Sequence, residues 1–256
     1  MLGQRVLVDP WLRDPERPHD LARCGYLGSE RDGGYAELVT VPAANVHPLH
    51  SALTDVELAS FPTSAGTAEN MLRRATVESD ETVLVTGASG GVGTALVQLV
   101  RRRGAIPLAV CAPDKADRVL ALGAEAVLTR DGDLATQLHA AGLEAVDVIA
   151  DVVGGERWVE LIGLLRRGGR YTVAGAVAGP LVELDLRTLY LSDLTFTGAT
   201  VTPPDLFRDL VGYIEHGDIS PVVTTTYPLE QAGDAQAAFT AKRHVGKIVL
   251  DIEQRG

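Results

Sequence analysis

Hydrophobic and polar positions follow a regular succession through the middle of the chain. Short, continuously apolar runs rich in β-branched residues occur at 82–86, 106–111, 126–128, 146–151, 170–174 and 194–198. Between them, apolar residues recur with helical spacing at 91–103, 115–122, 134–141 and 156–167. Runs without polar alternation are typical of strands buried on both faces, and strands that alternate with helices form parallel sheets. The pattern predicts an α/β fold with a doubly wound parallel sheet.

The two ends of the chain show a different pattern. We expect strands at 5–8 and 34–41, and a helical segment over 51–75 that is broken at Pro62. Toward the C-terminus, the periodicity predicts helices at 205–215 and 229–241 and a strand at 247–252. These segments predict a smaller part of the protein beside the main sheet.

One turn in the main pattern points to a specific chemistry. The segment VLVTGASGGVGTALVQLV, which begins at Val83, reads as a strand, a tight turn and a helix, and Ala88, Gly90 and Gly93 fall on the G-x-G-x-x-G spacing. Glycine in the second place lets a pyrophosphate approach the backbone, and glycine in the third lets the helix pack closely on the strand. Phosphates would then meet the free N–H groups of the helix N-terminus. We therefore predict a Rossmann-type dinucleotide-binding turn from Val83 to Gly93.

Charge and cysteine content exclude several other classes of protein. The 256 residues carry a net charge of −11, which argues against broad electrostatic binding to nucleic acid or to an anionic membrane. Two cysteines, Cys24 and Cys111, are too few for a disulfide framework or a four-thiolate zinc site. We find no secretory signal and no apolar run of bilayer-spanning length, so we expect a soluble, cytoplasmic protein.

Segments spread over nearly the whole chain match one family pattern. Beside VLVTGASGGVG, they are DGGYAELVTVPAANV (32–46), LGAEAVL (122–128), DVVGGERW (151–158), LLRRGGRYTVAGAVAG (164–179) and HVGKIVL (244–250). With these segments the chain resembles the medium-chain dehydrogenase/reductase family, specifically its zinc-independent quinone oxidoreductase branch. The resemblance implies a Rossmann domain at 51–219 and a partial GroES-like β domain formed by 1–50 with about 220–256. Family members carry further sequence before the stretch that resembles GQRVLVDP, so we expect this chain to lack the N-terminal part of the catalytic domain.

The end of the second predicted strand bears on the choice of cofactor. In the Rossmann fold an acidic residue about 20 residues past the turn binds the ribose 2′-hydroxyl of NAD. Here the strand ends at Cys111 without that carboxylate, and Lys115 matches a lysine that the quinone oxidoreductase branch places beside the 2′-phosphate. Arg118 could assist, whereas Asp114 could pair with the lysine or point at the ribose. A solvated helix-start residue is the alternative for Lys115, but the pattern favours NADPH over NADH.

The resemblance also implies a set of cofactor-binding positions, most of them at strand ends, where ligands of open α/β sheets bind. These positions are Thr67, Ala88, Ser89, Gly90, Gly91, Val92, Gly93, Cys111, Lys115, Arg118, Arg130, Val152, Val153, Gly175 and Gly198. Arg130 is expected near the pyrophosphate, where related proteins often have Tyr. For the glycines at strand ends, a simple turn-forming role is the alternative.

The resemblance implies a function but names no catalytic residue. We expect metal-independent, NADP(H)-dependent hydride transfer to a quinone or an α,β-unsaturated carbonyl compound, with a proton from a donor that the sequence does not identify. Two alternatives remain: reduction of an enoyl thioester, and nucleotide binding without turnover because the catalytic domain is incomplete. His47 and His50 lie in a segment that we read as a loop, and they lack the third ligand that zinc requires.

The sixth predicted strand suggests an assembly. Residues 194–198 (LTFTG) contain no Lys or Pro that would prevent a second chain from pairing with their edge. Members of the family commonly dimerise through this strand. We therefore expect a homodimer with one sheet continuous across both subunits.

Overall fold

The computed structural model describes residues 3–252. The strands, numbered in chain order, are β1 (Val6–Val8), β2 (Trp11–Leu12), β3 (Gly25–Tyr26), β4 (Val46–Pro48), β5 (Thr82–Val85), β6 (Ile106–Cys111), β7 (Ala126–Thr129), β8 (Val146–Asp151), β9 (Leu165–Val173), β10 (Thr195–Gly198), β11 (Val223–Pro228) and β12 (Lys247–Asp251). The α-helices are α1 (Asp55–Ala59), α2 (Pro62–Arg74), α3 (Gly91–Arg102), α4 (Ala116–Ala121), α5 (Leu134–Ala140), α6 (Trp158–Gly163), α7 (Leu186–Leu191), α8 (Leu206–Glu215) and α9 (Ala232–Thr240). In this described part of the chain, no helix has both the length and the apolar character needed to cross a membrane.

The chain forms two compact units. Residues up to Gly66 together with those from Val201 onward make the first, and Thr67–Thr200 make the second, which we call the Rossmann unit. Its six-stranded sheet has the order β10-β9-β8-β5-β6-β7, and every neighbouring pair is parallel. This is the strand order of the doubly wound Rossmann fold, so the predicted α/β fold class is confirmed. The order reverses between β5 and β8, and such a reversal opens a crevice at the carboxyl ends of the strands.

The central strands of the sheet are buried, as their apolar runs predict. All four residues of β5 are buried, and so are five of the six residues of β6. One core cluster on the sheet joins strand residues such as Leu84 and Ile149 to helix residues such as Leu138 and Leu161. Burial of each large aliphatic side chain contributes about 1.5–3 kcal/mol, which is why helices must cover such strands.

The predicted helix at 156–167 is wrong at its C-terminal end. Helix α6 stops at Gly163, and β9 begins two residues later at Leu165. Residues 166–169 form an irregularity in the pairing of β9 with β8, and Gly168 there has a left-handed φ of +71°. Arg166 reads as the polar face of a helix, but its guanidinium is bonded to Asp147 on β8. A tertiary ion pair has overridden the local helical pattern.

The predicted strand at 34–41 is also wrong. Within residues 3–252 its backbone pairs with no other strand, and the side chains of Tyr35 and Leu38 are exposed, that of Leu38 by 90%. A β-favouring composition alone does not make a strand, because the ladder needs a partner to accept its hydrogen bonds.

The first unit contains short ladders held by long-range hydrogen bonds. β1 pairs with β4 and β2 with β3, both antiparallel, whereas β11 and β12 are parallel. The guanidinium of Arg13 donates to the carbonyl and hydroxyl oxygens of Thr202 at 3.0 and 2.9 Å, and the backbone N–H of His50 donates to Glu215 at 2.7 Å. These bonds lie within the first unit, which includes residues 51–66 and 201–219, whereas the predicted Rossmann domain ran from 51 to 219.

A very close backbone contact lies where α3 meets the turn before it. A Cβ atom on Gly93 would lie 2.2 Å from the carbonyl oxygen of Gly87 and 2.5 Å from Cα of Ala88. Real Cβ atoms do not approach backbone atoms so closely. The helix can therefore pack in this position only if residue 93 has no side chain.

We predict that Gly93→Ala lowers the free energy of unfolding by about 1–3 kcal/mol, which is the usual cost of overpacking a core. Urea unfolding followed by circular dichroism measures the change. Gly163→Ala is the matched control, because Gly163 also lies in a helix but a Cβ there would meet no atom within 4 Å. The control should be as stable as the wild type or more so, since alanine favours the helix. Equal stability of Gly93→Ala and the wild type would contradict the prediction.

Candidate functional site

The glycine turn joins β5 to α3 at the point where the strand order reverses. Gly87 adopts a left-handed φ of +56°, and the backbone N–H of Ala88 donates to the carbonyl of Val110 on β6 at 3.1 Å. Ser89, half-buried, completes the turn before Gly90. The strand, turn and helix predicted from the sequence are all present. The turn therefore lies at the carboxyl ends of β5 and β6, on the edge where such sheets bind ligands.

Helix α3 presents backbone donors at this edge. Gly90 is its N-cap residue, and no side chain makes a capping hydrogen bond. The first N–H groups of a helix, here those of Gly91, Val92 and Gly93, have no carbonyl partner within the helix. Together with the positive end of the helix dipole, they make this terminus suited to a phosphate group.

Gly90 and Gly93 differ in what surrounds them. Gly93 is closed in by the turn, whereas a Cβ on Gly90 would meet only the carbonyl oxygen of Gly87, at an ordinary 3.4 Å. The protein itself therefore does not require glycine at position 90. Open space at the middle glycine of this motif fits the close approach of a pyrophosphate.

The loop after β8 packs against the turn. A Cβ on Gly87 would lie 3.0 Å from Cγ2 of Val152 and 3.1 Å from Cγ2 of Val153, so these two side chains cover the turn. Gly175, just after β9, approaches the same loop, because a Cβ there would lie 2.8 Å from the carbonyl oxygen of Val152. The structure thus brings the turn, Val152, Val153 and Gly175 into one group.

A second group of predicted residues meets at the end of β6. The backbone N–H of Arg130 donates to the carbonyl of Cys111 at 2.9 Å, and Lys115 directly precedes α4. Burial raises the pKa of the Cys111 thiol and Asp114 adds to the rise, whereas Lys115 and Arg130 oppose it, so all three charged groups act on this one strand end. Arg118 is exposed on α4.

Two predicted residues stand apart from these groups. Gly198 ends β10, the outermost strand, which β9 and β8 separate from β5. Thr67 lies in the second turn of α2 and is half-buried. Their predicted roles rest on the resemblance alone.

Sequence reasoning missed three polar side chains beneath the site. The carboxylate of Asp151, the last residue of β8, accepts hydrogen bonds from the hydroxyl of Thr86 and from that of Tyr171, the latter at 2.5 Å. Asp151 is fully buried, and Thr86 and Tyr171 are nearly so. A carboxylate at the end of an apolar run, VDVIAD, is the signal that could have identified it, since buried charges need dedicated partners.

His47 and His50 of the first unit lie in and just after β4. His47 lies in β4 rather than in the expected loop, and its ring packs on Phe207 with 4.9 Å between ring centroids. Burial lowers the pKa of His47, which favours its neutral form. Among residues 3–252, no three His, Cys, Asp or Glu side chains are grouped so that they could hold a metal ion.

Comparison with known sequences identifies relatives along the whole chain. Residues 122–250 match the family model of the zinc-binding dehydrogenases. Acryloyl-coenzyme A reductase from Metallosphaera sedula is 30% identical over 94% of this chain and 71% of its own length. The NAD-dependent alcohol dehydrogenase from Saccharolobus solfataricus is 27% identical over 97% of this chain and 75% of its own length.

Comparison with solved structures identifies proteins of the same kind. A protein from Sinorhizobium meliloti, described as an alcohol dehydrogenase, superposes with a TM-score of 0.92 at 49% identity, over 97% of this chain and 69% of that one. The 2-octenoyl-CoA carboxylase reductase CinF, solved with NADP and 2-octenoyl-CoA, superposes with a TM-score of 0.90 at 29% identity, over 99% of this chain and 64% of that one. The family expected from the sequence is confirmed: this chain belongs to the medium-chain dehydrogenase/reductase family of oxidoreductases.

Proposed function

We propose that this protein is an NADPH-dependent oxidoreductase that transfers a hydride to a quinone or an α,β-unsaturated carbonyl compound without a metal ion. One observation carries the proposal: open space at Gly90 lies beside the uncapped N-terminus of α3, at the carboxyl ends of β5 and β6. A dinucleotide pyrophosphate needs this combination of a bare backbone and free N–H groups. The backbone of the turn would bind the phosphates and so orient the cofactor.

The chemistry would come from the bound cofactor, and the chain would supply binding and orientation. Bound NADPH supplies a hydride, and the reduced product takes up one proton in addition. The family model that matches residues 122–250 is that of zinc-binding dehydrogenases, but the described residues offer no group of three ligands for zinc. The proposal therefore assigns no step to a metal.

The preference for NADPH rests on the end of β6. A carboxylate directly at this strand end would repel a 2′-phosphate, but the residue there is Cys111. Lys115 and Arg130 lower the pKa of the Cys111 thiol and Asp114 raises it, so two cationic groups and one carboxylate act on the strand end where the Rossmann fold holds the ribose. CinF, which was solved with NADP, supports this preference, whereas the NAD-dependent relative from S. solfataricus favours the alternative.

Enoyl thioesters are the second candidate substrates. Two relatives favour enoyl thioesters: one is an acryloyl-coenzyme A reductase, and CinF was solved with 2-octenoyl-CoA. Both names describe a double bond conjugated to a thioester carbonyl. The hydride chemistry would be the same as for an enone, and only the group that binds the remainder of the substrate would differ.

We predict that the purified protein oxidises NADPH in the presence of at least one conjugated acceptor. Benzoquinone, cyclohexenone and crotonyl-CoA represent the three classes, and the loss of NADPH absorbance measures turnover, with and without a metal chelator. The chelator should leave the rate unchanged. NADPH binding without oxidation by any acceptor would favour the binding protein without turnover, and a chelator-sensitive rate would contradict the metal-independent reaction.

Gly90→Val should abolish NADPH binding and all turnover while the protein remains folded. The valine side chain would occupy the space left for the pyrophosphate, whereas the extended backbone of Gly90 (φ −81°, ψ 174°) accepts any residue. Calorimetric titration with NADPH measures binding, and circular dichroism reports the fold. Unchanged affinity in this variant would exclude the turn as the phosphate site.

Lys115→Ala should weaken NADPH binding by about 1.5–3 kcal/mol, the range for a hydrogen bond to a charged group, and leave NADH binding nearly unchanged. Arg74→Ala, which removes the same charge at the exposed end of α2, controls for the change in net charge. Titration of both cofactors against both variants gives the comparison. If Lys115→Ala weakens both cofactors equally, the lysine does not bind the 2′-phosphate.

We further propose a homodimer that pairs the β10 strands of two copies. β10 is the edge of the sheet, and Leu186, Tyr190 and Leu191 on α7, which leads into it, are exposed. The backbone N–H of Ala199 donates to Val173 on β9. Backbone N–H groups of successive strand residues point to opposite sides. Since the N–H of Ala199 points to β9, that of Gly198 points to the open edge.

Gly198→Pro removes a donor that edge pairing would use, and we predict that it converts the dimer to a monomer. Thr195→Ala is the control on the same strand, since it keeps every backbone donor. Sedimentation velocity at micromolar concentration measures the molar mass. A wild-type protein that sediments as a monomer would rule out a stable dimer.

A further inference from the structure

We infer that Asp151 is a positioning residue that holds the glycine turn and the loop at Val152–Gly154 in one fixed arrangement. The inference rests on the proposed function, because these segments form the proposed cofactor site. Asp151 itself lies below the site and is fully buried. It would act through the backbone that it fixes.

The carboxylate gathers donors from three separate segments of the chain. The hydroxyl of Thr86, at the start of the turn, and the hydroxyl of Tyr171, on β9, both donate to it. From the loop after β8, the backbone N–H of Val153 donates at 2.8 Å, and that of Gly154 lies 3.2 Å from each carboxylate oxygen. One side chain thereby joins the ends of β5, β8 and β9.

Within residues 3–252 no cationic side chain pairs with Asp151, so these hydrogen bonds replace the water around its carboxylate. None of the ion pairs found among residues 3–252 includes it. A buried carboxylate without hydrogen bonds is strongly unfavourable, so each of these donors stabilises its ionised form. Tyr171 is well suited to this role, because burial and the carboxylate itself raise the pKa of its hydroxyl and keep it protonated.

Thr86 transmits this arrangement to the turn. Its hydroxyl donates to Asp151 and accepts from the backbone N–H of Val152 at 3.1 Å. The next residue is Gly87, on which the side chains of Val152 and Val153 lie. The turn and the loop therefore cannot move independently while the hydrogen bonds of Asp151 are intact. The groups of a binding site must be held within about 0.5 Å of their productive positions. The hydrogen bonds of Asp151 and Thr86 would hold the turn and the loop in this way.

Thr86→Val tests the inference, because it keeps the shape of the side chain and removes its hydroxyl. Thr172→Val is the matched control: Thr172 is equally buried, on β9, but its hydroxyl has no hydrogen-bond partner in the described structure. Thr86→Ser restores the hydroxyl and should restore function. We expect Thr86→Val to weaken NADPH binding about tenfold, and Thr172→Val and Thr86→Ser to bind NADPH like the wild type.

Amide hydrogen exchange gives a second measurement that needs no cofactor. In Thr86→Val, the amides of Val152, Val153 and Gly154 should exchange faster than in the wild type, with no matching increase in the central strands β5 and β8. Faster exchange throughout the sheet, or equal effects of Thr86→Val and Thr172→Val, would show a general packing role and overturn the inference. Unchanged exchange and affinity in Thr86→Val would overturn it as well.

The two measurements separate this inference from the proposed function. If the wild type does not bind NADPH, the proposed function fails, and the exchange rates still decide the role of Asp151. If Thr86→Val does not fold, Tyr171→Phe replaces it, because it removes one donor and keeps the ring that packs on Trp158 and Phe196. That variant should change exchange and affinity in the same direction, and wild-type values in it would overturn the inference.

Discussion

In the Rossmann unit, the carboxylate of Asp151 is buried, and no oppositely charged side chain among residues 3–252 lies beside it. The carboxylate of Asp151 is stable there only because hydroxyl and backbone N–H groups replace its hydration. Those donors belong to segments far apart in the sequence, and they converge only when β5, β8 and β9 end side by side. The carboxyl edge of the sheet, including the glycine turn, takes its geometry from this requirement.

The parallel sheet could be predicted from the sequence because burial on both faces leaves a strong pattern. The runs at 106–111 and 146–151 coincide with β6 and β8 at both ends. The errors arise where a distant partner decides the outcome. Asp147 draws Arg166 into a strand pairing, and residues 34–41 find no strand to pair with among the described residues. Residues 201–219 contact the N-terminal residues of the same unit through Arg13 and His50.

In the candidate site, too, local features could be predicted from the sequence and contacts between distant residues could not. The positions of the turn, from Ala88 to Gly93, follow from a local motif, and they lie where the motif predicts. The hydrogen bonds of Asp151 were not predictable, because Thr86 and Tyr171 are 65 and 20 residues away in sequence. The overall charge of −11 was equally uninformative about the end of β6, where Lys115 and Arg130 lower the pKa of the Cys111 thiol and Asp114 raises it. Local fields depend on a few nearby groups and are little affected by charges beyond a Debye length.

The unequal surroundings of Gly90 and Gly93 also have an evolutionary consequence. A substitution at position 93 would clash with the backbone of Gly87 and Ala88. At position 90, by contrast, only a bound ligand would restrict the side chain. A descendant gene released from selection for its ligand could therefore replace Gly90 and still encode a folded protein. Its sequence would keep the third glycine of the motif and lose the second. In families that share this turn, members with the third glycine but without the second would be those that have kept the fold and lost the nucleotide.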